Sequence, residues 1–235
     1  MTTTANLDAD EIAKFDALAH RWWDPDGDFK TLHDINPARL EYISDRAELT
    51  AGPVADIGCG GGVLTESIAL KGADITGVDM AGKALSVAKL HALESGAQVT
   101  YREGTAEQVA AELPAHFQTV TCLEMLEHVS SYASTVQACA DMTRPGGDVF
   151  FSTINRNPKA YFLLVLGAEY ILNLLPRGTH DYEKFIKPSE LATAIRAAGL
   201  EVMDISGMTY NPFSRRCTIG RDVDANYLIH ARKPE

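Results

Sequence analysis

The chain lacks paired cysteines. Its four, Cys59, Cys122, Cys139 and Cys217, are scattered over 235 residues with no C-x-x-C spacing. That argues against a disulfide framework or a zinc site and fits a reducing cytoplasm. A basic surplus is also missing. Lysine and arginine number 21 against 32 acidic residues, a formal net charge of -11, so no nucleic acid is expected as a partner, because phosphate binding needs a positive surface. No apolar run reaches the length of a membrane span. Residues 1–12 are polar and acidic, unlike a signal peptide. Repeats and low-complexity segments are absent. What remains, 46% hydrophobic and 23% charged, is an ordinary globular composition. One domain over 1–235 is expected, with a helical cap over 1–50 and an apolar insertion over 155–187.

The cap reads as a helix over about 7–24, with Ile12, Phe15, Ala19 and Trp22 on one side, and a second from Pro37 to about Leu49. Short strands and helices then alternate: strands at 54–57, 74–79, 98–102, 117–123 and 148–154, helices at 63–71, 83–95, 105–112 and 133–143. Arg144-Pro145-Gly146-Gly147 reads as a turn. A helix over 188–198 and strands near 200–206 and 225–231 close the chain. This order predicts a parallel α/β sheet with helices on both faces, and ligands outside the carboxyl ends of its strands.

The most informative stretch is Val54-Ala55-Asp56-Ile57-Gly58-Cys59-Gly60-Gly61-Gly62, followed by Gly77-Val78-Asp79-Met80. Glycines let the chain turn sharply and let a ligand touch bare backbone. An acid closing the next strand accepts hydrogen bonds from ribose hydroxyls. The dinucleotide pattern G-x-G-x-x-G fails, because Val63 takes its last place. The pattern present, D-x-G-x-G-x-G through Asp56, Gly58, Gly60 and Gly62, resembles the first motif of the class I S-adenosylmethionine (SAM) methyltransferases. That resemblance implies a Rossmann-like, seven-stranded, mostly parallel sheet with an antiparallel closing strand. It makes Asp79, beside Met80, the ribose-binding acid and sets Thr105 and Ala106 at the adenine edge.

Just past the fourth strand lies Leu123-Glu124-Met125-Leu126-Glu127-His128. Three readings stand: a magnesium site built from Glu124, Glu127 and His128, a general base at His128, or an acidic helix start. Trp22 and Trp23 are either core or substrate contacts. Tyr210-Asn211-Pro212 lines an acceptor pocket or forms a turn. In the insertion, Tyr161 to Leu175 carries one charge, Glu169. Across 155–187 five basic and three acidic residues leave +2. Basic flanks around an apolar helix suit an anionic membrane surface; a lid or a buried helix would look the same.

Asn36-Pro37-Ala38-Arg39-Leu40, Lys89-Leu90-His91-Ala92, the Glu124–His128 run, Pro145–Thr153, Asn155-Arg156-Asn157, Gly178–Asp181, Lys184–Pro188 and Tyr210–Pro212 together resemble the ubiquinone-biosynthesis O-methyltransferase family. The resemblance spans Phe15 to His230. It implies methylation of 2-polyprenyl-6-hydroxyphenol-type intermediates and of 3-demethylubiquinol, with S-adenosylhomocysteine (SAH) as product. SAM would be held by Arg39, Gly58, Asp79 and Leu123, and Mg2+ by the Glu-x-x-Glu-His run, as in the mitochondrial relatives. The implied setting is cytoplasmic, on the inner face of the membrane, with a polyprenylated phenol or quinol substrate and a ubiquinone-biosynthesis complex as partner. A methyltransferase for another small phenol or catechol, or a non-catalytic SAM- or lipid-binding subunit, are the rival readings.

Overall fold

A computed structural model describes residue 6 and residues 9–158 and 182–235. The centre of the insertion, with Tyr161–Leu175 and His180, lies outside the described residues. Eight strands form one sheet in the order β3-β2-β1-β4-β5-β8-β6-β7. They are β1 Val54–Ile57, β2 Ile75–Asp79, β3 Val99–Glu103, β4 Phe117–Leu123, β5 Thr143–Ile154, β6 Glu201–Asn211, β7 Arg216–Gly220 and β8 Asn226–Arg232. The first five run parallel. β8 inserts antiparallel between β5 and β6, and β7 pairs antiparallel with β6 at the far edge. Among the described residues the α-helices are α1 Ala9–Leu18, α2 Lys30–Ser44, α3 Val63–Ala69, α4 Gly82–Ser95, α5 Ala106–Glu112, α6 Tyr132–Met142 and α7 Pro188–Ala197.

Side-chain alternation builds a core on each face of this sheet. Ala55 and Ile57 of β1, Phe151 of β5 and Tyr227 and Ile229 of β8 point to one face, where Val109, Val136, Met142, Leu191 and Ile195 cover them. Val54, Phe150 and Leu228 point to the other, against Ile35, Tyr42, Ile43, Leu64 and Ile68. With both faces covered, the central strands read as continuous apolar runs.

The structure departs from the expected pattern in four places. The first helix stops at Leu18 and tightens into a 3-10 turn, Ala19–Arg21, before the Asp24-Pro25 turn. α2 begins at Lys30 and carries Pro37 in its interior. Proline denies His33 a helical hydrogen bond, but burial of Ile35, Tyr42 and Ile43 holds the helix through it. Arg144–Gly147 is a bulge within β5 rather than a free turn: Thr143 already pairs with Phe117, and the register shifts before Asp148 meets Thr119. Finally, the sheet has eight strands rather than seven, because β6 runs on to Asn211 and turns back as β7.

Candidate active site

The glycine loop leaves β1 through backbone that only glycine adopts without strain. Gly58, Gly60 and Gly62 have φ of +73°, +52° and +88°. Asp79, at the end of β2, fastens this loop. Its Oδ2 accepts the Gly60 N–H at 2.7 Å and its Oδ1 the Ala81 N–H at 2.8 Å. Burial raises the carboxyl's pKa, and the bonds from Ala81 and Gly60 oppose that rise. Met80 follows, half-buried. Asp56 sits deeper, 3% exposed. Both its oxygens are engaged, by the Thr65 hydroxyl at 2.6 Å and the Thr121 hydroxyl at 2.7 Å, so it braces the loop from below.

Both tryptophans of the amino-terminal segment close on the loop. A Cβ on Gly60 would lie 2.2 Å from Trp22 Cζ2, and one on Gly61 would lie 2.2 Å from Trp22 Cγ. Trp22 stacks on Phe29 at 3.9 Å. The Trp23 indole N–H donates to the Gly61 carbonyl at 2.9 Å, and its ring stacks on His91 at 3.4 Å. His91 in turn is 2.8 Å from Glu66. Gly60→Ala is therefore expected to destabilise the protein by roughly 2–4 kcal/mol, from left-handed strain plus overpacking against a buried indole. Thermal denaturation checks this; an unchanged Tm would show that Trp22 does not bear on the loop.

Arg39 lies beneath the same crevice, 4% exposed. Asn36, itself tied to Ser67 Oγ at 2.9 Å, accepts a bond from Arg39 Nη2 at 3.2 Å. The Nε of Arg39 has no hydrogen-bond partner among the described residues. Burial lowers its pKa, while the charges of Glu124 and Asp56 favour the cation. A buried guanidinium with an unmet N–H suits an anionic ligand group.

Leu123 closes β4 in the apolar core, and Glu124 follows with φ +53°. A long side chain in the left-handed region costs about 1–3 kcal/mol and persists where its surroundings hold it. Here Ser152 donates to Oε1 at 2.6 Å and Asn226 to Oε2 at 2.8 Å. Burial and the neighbouring Glu127 raise the Glu124 pKa. Glu127, 4% exposed, accepts from Thr153 at 2.7 Å. His128 ends the short turn Leu126–His128, with its Nδ1 2.9 Å from Glu11 Oε2. An ionised carboxylate only accepts, so Nδ1 carries the proton and Nε2 is left as the basic nitrogen.

Glu124, Glu127 and His128, the run expected to hold magnesium, are each hydrogen-bonded within the protein. Among the described residues no three His, Cys, Asp or Glu side chains form a group that would hold a metal ion. Glu124 bonds Ser152 and Asn226, Glu127 bonds Thr153 and His128 bonds Glu11, while the charge of Glu127 acts on both of the others. Thr105 and Ala106 start α5. The Thr105 hydroxyl accepts the Gln108 N–H and the Gln108 side chain accepts the Thr105 N–H, a reciprocal cap, and Ala106 is buried behind it.

Glu11 is the residue the sequence reading passed over. It also pairs with Lys14 at 3.0 Å and lies 3.7 Å from Lys184. With Asp16 accepting from Lys83 N at 2.9 Å and Asn6 bonded to Glu107 and Ser131, the amino-terminal segment crosses the carboxyl ends of β2 and β4. His33 reaches the Trp22 carbonyl and His230 reaches Asp148, both at 2.8 Å. Tyr210 is bonded to Asp34 at 2.6 Å, which draws β6 onto α2.

Known proteins share this sequence and this fold. A family profile described as a methyltransferase domain matches residues 29–205. The chain is 60% identical over 225 residues to the ubiquinone biosynthesis O-methyltransferase of Pseudomonas syringae pv. tomato, covering 96% of this chain and 97% of that one. To the protein of the same name from Nitrosospira multiformis it is 58% identical over 229 residues, 97% of this chain and 96% of the relative. Its fold matches that of magnesium protoporphyrin IX methyltransferase from Synechocystis PCC 6803, crystallised with bound SAH, with a TM-score of 0.68 at 18% identity, covering 94% of each chain. With a glycine loop fastened to Asp79, a buried arginine and an intact Glu-x-x-Glu-His run, the chain belongs to the ubiquinone biosynthesis O-methyltransferase family.

Proposed function

We propose that this protein transfers a methyl group from SAM to a hydroxyl of a polyprenylated phenol or quinol in ubiquinone biosynthesis. The observation that carries the reading is Arg39. Its buried guanidinium keeps one N–H unmet, close to the glycine loop through Asn36 and Val63. SAM ends in a carboxylate, the group a guanidinium binds best. Asp79 accepts the ribose hydroxyls on lone pairs not used by Gly60 and Ala81, and Leu123 and Met80 offer apolar contact to the adenine. Asp56 shapes the loop from below.

The methyl sulfonium of SAM supplies an activated methyl group, so the protein need not form a covalent intermediate with it. Its task is to position and to deprotonate. A phenol has a pKa near 10, so few molecules are ionised at neutral pH. His128 Nε2 removes that proton, with Nδ1 held by Glu11. Glu124, held by Ser152 and Asn226 and with its pKa raised by burial, borders the place where a catechol-like acceptor would sit. The amino-terminal segment, through α1 and Trp22, excludes water from the crevice. Among the described residues no helix is long and apolar enough to cross a membrane. Peripheral contact with the inner membrane face, through 155–187, accompanies the reading because the substrate is a lipid.

The decisive test is calorimetric. Arg39→Ala is expected to raise the Kd for SAH roughly 10- to 100-fold, the worth of a charged hydrogen-bonded pair. It should leave methylthioadenosine, which has no carboxylate, unaffected. Equal weakening of both ligands would remove Arg39 from the carboxylate end. Failure of the wild-type protein to methylate a short-chain demethylubiquinol would overturn the substrate class.

A further inference from the structure

The eighth strand creates a feature that the methyl-transfer chemistry does not use. β8 runs against β5 and β6 runs against β8, so β6 points the same way as β5. Its carboxyl end, Asn211, therefore lies on the sheet edge where the active-site loops emerge. Pro212–Arg215 forms the tip of the hairpin to β7. Behind the tip the hairpin faces the site: Cys217, pushed up to about 11 mainly by burial, feels the charges of Arg39 and Glu124. The root is rigidly held. Tyr210 bonds Asp34, and Arg215 bonds Asp34 at 3.0 Å, Asp26 at 2.7 Å and the Pro25 carbonyl at 2.6 Å. The tip residue is the opposite: Phe213 is 90% exposed, the most exposed large apolar side chain among the described residues.

An aromatic ring on a clamped, solvent-facing turn at the mouth of a site asks for an occupant. The surroundings of the tip favour a bilayer. The acceptor is a lipid, a step that rests on the function proposed above, so the mouth must meet a membrane. Between Asn211 and Arg216 there is no acidic residue, although the whole protein carries -11. Arg216 is exposed and makes no ion pair among the described residues, leaving its charge available to an anionic headgroup. The insertion also leaves the sheet at this edge, since Ile154 ends β5.

We propose that the β6–β7 hairpin tip is a membrane prong: Phe213 inserts into an anionic bilayer, Arg216 contacts its headgroups, and the clamp on Asp34 and Asp26 aims the acceptor site at the lipid.

Flotation of the full-length protein with phosphatidylcholine–phosphatidylglycerol vesicles tests this. Phe213→Ser should lower the partition coefficient about tenfold, the loss of one buried phenyl ring. Arg216→Gln should lower it about fivefold. Phe213→Trp should bind as wild type does, and brominated-chain lipids should quench its added emission. Phe213→Ser should methylate a water-soluble short-chain demethylubiquinol at the wild-type rate and lose activity only on a long-chain substrate held in vesicles. Flotation of Phe213→Ser equal to wild type, or an unquenched Phe213→Trp, overturns the prong. Loss of short-chain methylation by the wild-type protein would instead remove the proposed substrate and leave the vesicle measurements standing.

Discussion

Replacing His128 with alanine is expected to lower kcat by about 10²- to 10⁴-fold, the usual worth of a positioned general base, while leaving SAH affinity unchanged. The imidazole is partly enclosed, edge-on to Phe15 at 5.2 Å, and its Nδ1 is committed to Glu11. Burial alone would lower its pKa. The Glu11 hydrogen bond and the charges of Glu127 and Glu11 outweigh burial and the opposing Lys184, so the net shift is upward from 6.5. The basic, neutral form therefore appears at higher pH than for a free imidazole, and kcat should climb with pH through that raised value. Glu11→Gln removes the charge but keeps an oxygen acceptor, so the climb should move to lower pH. A profile that stays in place would dismiss Glu11 as a positioning residue. An Ala variant at 128 with full kcat would dismiss the base.

The same pair ties the proposed base to the docking of α1. Glu11 is pulled from 4.5 to about 2, chiefly by its bond to His128 and against the cost of burial. A depressed carboxyl contributes stability above its unfolded value, and the contribution is lost as pH falls through about 2. A raised imidazole contributes stability below its ordinary 6.5, lost as pH rises through the raised value. The latch is thus firmest between those two ordinary values and loosens on the alkaline side, where the base becomes active. Opening of the amino-terminal segment and deprotonation of His128 favour the same direction of pH change.

How much of this was legible in sequence depended on distance along the chain. β1 and β4 were expected at 54–57 and 117–123, where the structure has them, because buried strands carry their signal in their own letters. The glycine loop and Asp79 were legible for the same reason: the turn chemistry sits in consecutive residues. Glu11 was not, since 117 positions separate it from His128 and nothing local distinguishes it from a solvated acid on an amphipathic helix. The arrangement of the acidic run was hidden for a related reason. Spacing placed Glu124, Glu127 and His128 within five residues, but only the backbone shows that Glu124 takes φ +53° and turns toward Ser152. β7 left a faint trace, Cys217 and Ile219 inward between exposed neighbours, too short an alternation to separate from a loop. α2 began early because burial of Ile35 outweighed the start implied by Pro37.

The other large effect belongs to Asp79. Its alanine variant is expected to raise the Kd for SAH by roughly 10²- to 10⁴-fold, since two charge-assisted hydrogen bonds at about 1.5–3 kcal/mol each leave with the carboxylate. The loop suffers as well, because Gly60 N–H and Ala81 N–H lose their shared acceptor. Asparagine should not rescue: with its oxygen toward one backbone N–H, its NH2 must face the other donor. Calorimetry with two ligands separates this role from that of Arg39. Methylthioadenosine retains the ribose and lacks the carboxylate, so Asp79→Ala should weaken it as severely as SAH, whereas Arg39→Ala should not weaken it at all. That crossed pattern requires the sugar to lie at the end of β2 and the amino-acid tail to lie over α2. An Asp79→Ala protein that binds SAH normally would leave the glycine loop without a ligand.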